Sequence, residues 1–145
     1  MPSATLDTNI YVSALVYGGT PLRLLHLAID GDLEVAISQP ILGETLRILR
    51  EKFGWSRERL KQAETLIIGF ARQVSPSQNL NVIKEDEPDN RILECAAEAG
   101  SEFIVSGDKD LHRLGQHENA RVIKVADMLD IIQGKGWRRH GLDPP

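Results

Sequence analysis

Short apolar runs alternate with segments of helical periodicity along most of the chain. The apolar runs predict strands at 5–6, 34–37, 80–83, 103–106 and 121–124. Apolar residues at helical spacing predict helices at 10–16, 21–30 (capped by Thr20), 40–53, 57–72 (capped by Ser56), 88–99 and 126–133, with a short helix after Asp108. Strands that alternate with helices indicate βαβ units. We therefore expect an α/β fold with a mostly parallel central sheet flanked by helices on both faces.

The run from Phe103 to Ser106 has no polar alternation, which predicts a strand buried on both faces. Gly107 ends this strand, and Asp108, Lys109 and Asp110 follow at the start of a helix. These carboxylates should therefore lie at the carboxyl end of a strand, the edge at which open α/β sheets bind their ligands.

Composition and charge favour one domain, which we place at residues 1–134, followed by a basic tail at 135–145. Apolar runs are too short to span a membrane, and residues 1–6 lack the features of a secretory signal. The single cysteine, Cys95, falls in an Ala-rich helical pattern and is expected to be a packing residue in a reducing cytoplasm.

The net charge of −4 gives no general attraction to nucleic acid, so any such binding must use local patches. Residues 47–61 are rich in Arg and Lys, and the tail adds Trp137, Arg138 and Arg139. Either stretch could contact RNA or a partner. The alternative for the first is a solvated helix face, and for the second a disordered terminus.

Four acids stand out, although each has a simpler explanation when taken alone. Asp7 and Asp108 each precede a predicted helix, where Asp is a common N-cap. Asp89 is three residues before Ile92 and so falls on the buried stripe of its helix. Glu44 lies in mid-helix, where a lone Glu is usually at the surface, although it borders an apolar strip.

Together the four acids form a stronger pattern, because acids that follow parallel strands meet at one edge of the sheet. Two carboxylates about 5 Å apart repel by roughly 3 kcal/mol at an effective dielectric of about 20. Some must then be protonated, or a cation must lie among them, and oxygen ligands favour Mg²⁺ or Mn²⁺. Such a centre points to hydrolysis of a phosphodiester. The four histidines lack metal-ligand spacing and are interpreted as surface or packing residues.

Four segments in order, LDTNIYVSAL, QPILGETLRIL, EPDNRILECA and FIVSGDKDL, resemble the PIN domain family, in particular the VapC-like toxins of bacterial toxin–antitoxin pairs. The resemblance implies a three-layer α/β/α PIN-like fold and a Mg²⁺- or Mn²⁺-dependent endoribonuclease that leaves a 5′-phosphate and a 3′-hydroxyl. By position, Asp7, Glu44, Asp89 and Asp108 would be the catalytic and metal-binding acids, and Asp110 would be an accessory metal ligand.

The resemblance also implies supporting residues and partners. Thr8, Asn9 and Ser106 would orient the carboxylates or a metal-bound water. The expected partners are an RNA substrate, an antitoxin protein and a second copy of the chain in a homodimer. Candidate RNA-binding residues are Arg47, Arg50 and Lys109.

Two other functions stay open. The first is a PIN-like nucleic-acid-binding or regulatory module without catalysis, in which the acids are only helix caps. The second is a receiver domain that accepts a phosphoryl group, which would need paired acids after its first strand. Thr8 and Asn9 follow Asp7 instead, which makes the receiver less favoured.

Overall fold

The computed structural model describes residues 1–77, 79, 83 and 87–134. Most of the strand predicted at 80–83 and the whole predicted tail at 135–145 lie outside these residues. The described strands are β1 (Ser3–Leu6), β2 (Glu34–Ile37), β3 (Ala71–Gln73), β4 (Phe103–Val105), β5 (Gln116–His117) and β6 (Ala120–Ile123). The described helices are α1 (Thr8–Tyr17), α2 (Gly19–Ile29), α3 (Gln39–Glu51), α4 (Arg57–Phe70), α5 (Glu87–Ala99), α6 (Lys109–Leu114) and α7 (Val125–Gln133).

The described strands form one six-stranded sheet in the order β3-β2-β1-β4-β6-β5. Each neighbouring pair is parallel except β5 and β6, which are antiparallel. Helices flank this sheet in a three-layer α/β/α arrangement. The α/β fold class predicted from the sequence is therefore confirmed.

The first strand is central although its sequence is short and partly polar. Ala4, Thr5 and Leu6 are each fully buried, and β1 pairs with β2 on one side and β4 on the other. The Thr5 hydroxyl lies 2.9 Å from the hydroxyl of Ser101, which satisfies both groups in the core. This hydrogen bond explains how a polar residue occupies a strand that is covered on both faces.

The chain reverses its direction across the sheet between β1 and β4. From β1 it proceeds outward to β2 and β3, and it then returns to place β4 on the opposite side of β1. The carboxyl ends of β1 and β4 therefore flank a topological switch point, where the crossover connections leave in opposite directions. A crevice forms at such a point, and it is the usual ligand site in open α/β sheets.

The turn between α1 and α2 depends on a glycine. Gly18 has φ 78° and ψ −128°, a conformation in which any residue with a side chain would be strained. Its N–H donates to the carbonyls of Ser13 and Ala14. Gly18 also precedes the first residue of α2, so the prediction of Thr20 as the cap of this helix is wrong. Gly19 begins α2 before Thr20 is reached, and Thr20 lies inside its first turn.

Two edge strands differ from the sequence prediction. We expected the helix of α4 to continue to about Arg72, but it ends at Phe70, and residues Ala71–Gln73 form β3 beside β2. The helical pattern of α4 has no stop signal at Phe70. Residues Ala71–Gln73 adopt an extended conformation because they pair with β2, which lies more than thirty residues earlier in the chain. The sequence likewise predicts no strand at Gln116–His117, which form the two-residue β5.

Cys95 is a fully buried packing residue, as predicted. Burial raises the pKa of its thiol to about 11, although the hydrogen bond from Thr5 partly opposes the shift. In the part of the chain that the structure describes, no single helix is long and apolar enough to cross a membrane; α1 and α2 satisfy length and composition only as a pair bent by 104°.

Candidate metal centre

Asp7 is placed at the switch point by the end of β1. Its backbone N–H donates to the carbonyl of Val105, the last residue of β4, at 2.9 Å. Its Oδ1 atom accepts the N–H of Asn9 at 3.1 Å and so caps α1. Asp7 is only 5% exposed, so its carboxylate is held in one orientation in a largely buried position. The capping role and a place at the site are thus compatible in the same residue.

Ser106 joins the ends of the two central strands. Its hydroxyl donates to Asp7 Oδ2 at 2.6 Å and accepts the backbone N–H of Asp108 at 2.9 Å. The side chain is fully buried, and both contacts therefore lie away from solvent. Ser106 positions two of the predicted acids at once, although its own hydroxyl is hidden behind them.

Asp108 caps α6 with a single carboxylate oxygen. Its Oδ1 atom accepts the N–H groups of Asp110 at 2.8 Å and Leu111 at 3.2 Å. The other oxygen, Oδ2, is not used by these two bonds. Since the residue is only partly buried, one face of the carboxylate can bind a ligand while the helix start is still capped.

Three carboxylates come close together at this edge. One oxygen each from Asp89, Asp108 and Asp110 lies within 4.8 Å of the other two. Asp89 reaches the group because α5 leads into β4, so the first turn of this helix lies above the carboxyl ends of the strands. Asp89 is 5% exposed, whereas the Asp110 side chain is 46% exposed and pairs with Arg113 at 2.9 Å.

The three carboxylates have the chemistry of a hard divalent cation site. All ligand atoms are oxygens, and two ligands on one Mg²⁺ lie at most about 4.2 Å apart, since each bond is about 2.1 Å long. The oxygens of the three carboxylates lie up to 4.8 Å apart, and a small rotation of the side chains brings them within this distance. The residues present therefore fit Mg²⁺ or Mn²⁺.

Glu44 and Asp7 do not belong to this closest group of ligand atoms. Glu44 is paired through both of its oxygens with Arg47, at 2.8 Å each. This bond to Arg47 lowers the pKa of the Glu44 carboxyl and keeps it ionised, although burial opposes the shift. Its side chain is 28% exposed. The structure therefore leaves Glu44 outside the group, on the wall of a neighbouring cleft and engaged by a residue of its own helix.

Two clefts border the acids. The first, which we call the acidic cleft, has a volume of about 470 Å³. It is lined by Asp7, Asn9, Gly107, Asp108, Lys109 and Asp110. The second, which we call the proline cleft, has a volume of about 300 Å³. It is lined by Thr8, Pro40, Ile41, Glu44, Pro88 and Arg91.

These clefts separate the predicted supporting and RNA-binding residues. Asn9 and Lys109 line the acidic cleft, whereas Thr8 lines the proline cleft. Arg47 and Arg50 lie at the surface of α3, where Arg47 pairs with Glu44 and Glu51 and Arg50 pairs with Glu51. Of the three cationic candidates, Lys109 is therefore the one that faces the acids.

Three residues near the site were not singled out from the sequence. Arg91 lines the proline cleft and donates to the buried Glu94 at 2.7 Å. His112 places Nε2 2.5 Å from the carbonyl oxygen of Ser106 and so fixes the loop that carries Asp108. The i, i+3 spacing of Arg91 and Glu94 would have indicated their pairing, but no sequence pattern indicates the cleft.

Comparison with protein families decides the relationship of the chain. The PIN domain family matches residues 3–110, which contain all the carboxylates described above. The chain belongs to the PIN domain family. The resemblance stated from the sequence is thereby confirmed at the level of the family, and the acidic group of this PIN domain lies within the matched region.

Solved structures agree with this PIN fold. One similar structure is the crystal structure of VapBC2 from Rickettsia felis bound to a DNA fragment from their promoter. The TM-score is 0.59 at 17% sequence identity, and the match covers 84% of this PIN domain and 98% of the other chain. At this identity the likeness shows the fold alone. No curated protein sequence matches the chain.

Proposed function

We propose that this PIN domain is a Mg²⁺- or Mn²⁺-dependent endoribonuclease that hydrolyses RNA phosphodiester bonds. The observation that carries the proposal is the group formed by Asp89, Asp108 and Asp110, whose ligand oxygens lie within 4.8 Å at the switch point of the sheet. Family membership and the acidic residues matched in this chain support the same function.

In this proposal each residue has a separate task. Asp89, Asp108 and Asp110 would hold the cation, with Asp7 and Glu44 contributing from the two adjoining sides. When bound, the cation would supply charge neutralisation for the phosphate and an activated water. Asp7 is oriented by the hydroxyl of Ser106 at 2.6 Å.

Lys109 would attract the substrate to this acidic surface. It is exposed and lines the same cleft as Asp7 and Asp108. Without a cation, three close carboxylates would repel a phosphodiester, and a single lysine would not compensate for them. The proposed reaction therefore requires the metal for binding as well as for chemistry, and its products would be a 5′-phosphate and a 3′-hydroxyl.

The biological role that we propose is that of a VapC-like toxin in the cytoplasm, restrained by an antitoxin protein and assembled as a homodimer. A structural likeness to VapBC2 from Rickettsia felis supports this role through the shared fold. Co-purification with the product of a neighbouring open reading frame, and light scattering of the isolated chain, would test the partner and the dimer.

The main alternative is a PIN-like nucleic-acid-binding or regulatory module without catalysis. It is favoured by the structural roles of the acids, since Asp7 and Asp108 cap helices and Glu44 pairs with Arg47. Each of these interactions exists without a bound cation. An RNA cleavage assay separates the two functions directly.

The deciding experiment measures cleavage of end-labelled single-stranded RNA with Mg²⁺, with Mn²⁺ and with EDTA. We expect cleavage with metal only, and we expect Asp7→Asn and Asp108→Asn to lower the rate at least about 100-fold, since loss of even an outer-sphere partner costs about 10- to 100-fold. Asp32→Asn, an exposed acid before β2 at the opposite edge of the sheet, is the matched control. A wild-type rate that both site variants retain would refute the assignment.

A further inference from the structure

The proline cleft adjoins the acids but offers a different chemistry. Thr8 directly follows Asp7 in the chain, and Pro88 directly precedes Asp89, so the cleft opens beside the carboxylates. Its walls include Pro40, Ile41 and Pro88, which provide apolar surface. Its volume of about 300 Å³ is at the small end for ligand pockets, enough for one flat ring system and its sugar.

The polar groups of the cleft point to a nucleobase. Arg91 lines the cleft, and the bond from its Nη2 to Glu94 at 2.7 Å holds its guanidinium in place. The Glu94 side chain is only 7% exposed, so this anchor is shielded from solvent. A planar guanidinium can stack on a base or donate to its edge, as occurs where proteins read single-stranded RNA.

A phosphate is a poorer occupant than a base. Glu44 lines the same cleft, but both of its oxygens are already paired with Arg47 at 2.8 Å. The charge of Arg91 is likewise balanced by Glu94, so neither pair leaves a net positive charge for a phosphate. Apolar walls and paired charges favour a neutral, flat group with hydrogen-bonding edges.

We propose that the proline cleft is a subsite for one unpaired nucleobase next to the scissile phosphate, and that Arg91 determines which base it prefers. The inference rests on the proposed function, because it takes the occupant to be a nucleotide of the substrate. A cleft for one base also implies single-stranded RNA, since a paired base cannot enter it.

Binding of nucleoside 5′-monophosphates tests the subsite without any cleavage. The affinities of AMP, GMP, CMP and UMP are compared with that of ribose 5-phosphate, which has the same phosphate but no base, by NMR titration in Mg²⁺. We expect at least one nucleotide to bind about tenfold more tightly than ribose 5-phosphate, in line with the usual contribution of a stacked base. Equal affinities for all five compounds would overturn the subsite.

Two tryptophan variants locate the binding. Pro40→Trp puts a large ring into the cleft at an exposed position of the first turn of α3, and it should abolish the advantage of the base. Gln39→Trp places the same ring on the neighbouring exposed residue, which does not line the cleft, and should keep it. An advantage that persists in Pro40→Trp would contradict the assignment.

The role of Arg91 is tested by a double variant, Arg91→Gln with Glu94→Gln, which removes both charges and leaves no buried carboxylate without its partner. We expect the four nucleotides to bind this variant with affinities within about twofold of one another. An unchanged order of preference would show that Arg91 does not select the base. If Pro40→Trp fails to fold, this double variant still tests the assignment, because an order of preference that does not change contradicts a subsite in which Arg91 selects the base.

The outcomes separate the subsite from the nuclease. RNA cleavage by a protein that shows no preference for nucleotides over ribose 5-phosphate would uphold the nuclease and overturn the subsite. A base preference that Pro40→Trp abolishes, in a protein that cleaves no RNA, would uphold the subsite in a nucleotide-binding PIN domain and overturn the nuclease.

Discussion

Replacing Asp89 by Asn should stabilise the metal-free protein. The ligand oxygens of Asp89, Asp108 and Asp110 lie within 4.8 Å, and two unit charges at that separation repel by about 3 kcal/mol at an effective dielectric of about 20. Solvent screens part of this repulsion, because Asp110 is half exposed and pairs with Arg113. The variant also loses about 0.3–1 kcal/mol of attraction to the first turn of α5. We expect a net gain of about 1–2 kcal/mol.

Thermal unfolding in EDTA and in Mn²⁺ measures both halves of this prediction. A domain of this length gains about 2–4 °C per kcal/mol, so the melting temperature of Asp89→Asn should rise by about 2–8 °C in EDTA. At Mn²⁺ near 100 times its Kd the wild type should gain about 2.7 kcal/mol, and the variant should lose most of that gain.

Asp32→Asn is the matched control, because Asp32 is an exposed acid in the connection between α2 and β2, away from the acidic group. Its melting temperature should hardly change in either buffer. If Asp89→Asn behaves like this control in both buffers, the carboxylates are helix caps and the reasoning that joins them into a metal centre is wrong.

Three further predictions concern single groups. The hydrogen bond from Arg47 lowers the pKa of Glu44, so the contribution of this pair to stability is complete above the carboxyl pKa of the unfolded chain and is lost as the pH falls through the folded pKa. Glu44→Gln and Arg47→Gln should each reduce the loss of stability against urea between about pH 5 and pH 3. An unchanged pH dependence in both variants would contradict this. Ser106→Ala should lower the free energy of unfolding by about 2–3 kcal/mol and slow RNA cleavage at least about tenfold. The control Ser101→Ala should lower stability against urea but keep the cleavage rate. Equal cleavage rates in the two variants would contradict a positioning role for Ser106. Cys95, with its thiol pKa raised to about 11 by burial, should react with a disulfide reagent at pH 8 only after unfolding, and rapid native labelling would refute its burial.

The α/β architecture was predictable because its signals are local. The buried run before Ser106 and the helical spacing of Leu42 and Leu49 each depend on residues within one element. Edge strand β3 was missed because Ala71 continues the helical period, and only its pairing with β2 makes the segment extended. Such pairing depends on distant residues, which a local pattern does not contain.

The candidate site was predictable to a similar degree. Topology brings Asp89 and Asp108 to one edge, and this follows from the order of strands and helices. The pairing of Glu44 with Arg47, and the placement of Arg91 over a cleft, depend on which rotamers the packing of α3 and α5 allows. Those choices have no signature in spacing, so the sequence predicts which edge of the sheet Asp89 and Asp108 share but not how each side chain is held.

The hydroxyl of Ser106 bonds to Asp7, which lies 99 positions earlier in the chain. Strand β4 must be inserted beside β1 before this bond can form, and β6 then covers the other edge of β4. During synthesis, a nascent chain that ends before β4 has Asp7 but neither Ser106 nor Asp108. The growing polypeptide is therefore without an assembled acidic centre until the later part of its translation, and any truncated product that stops short of Phe103 lacks this centre.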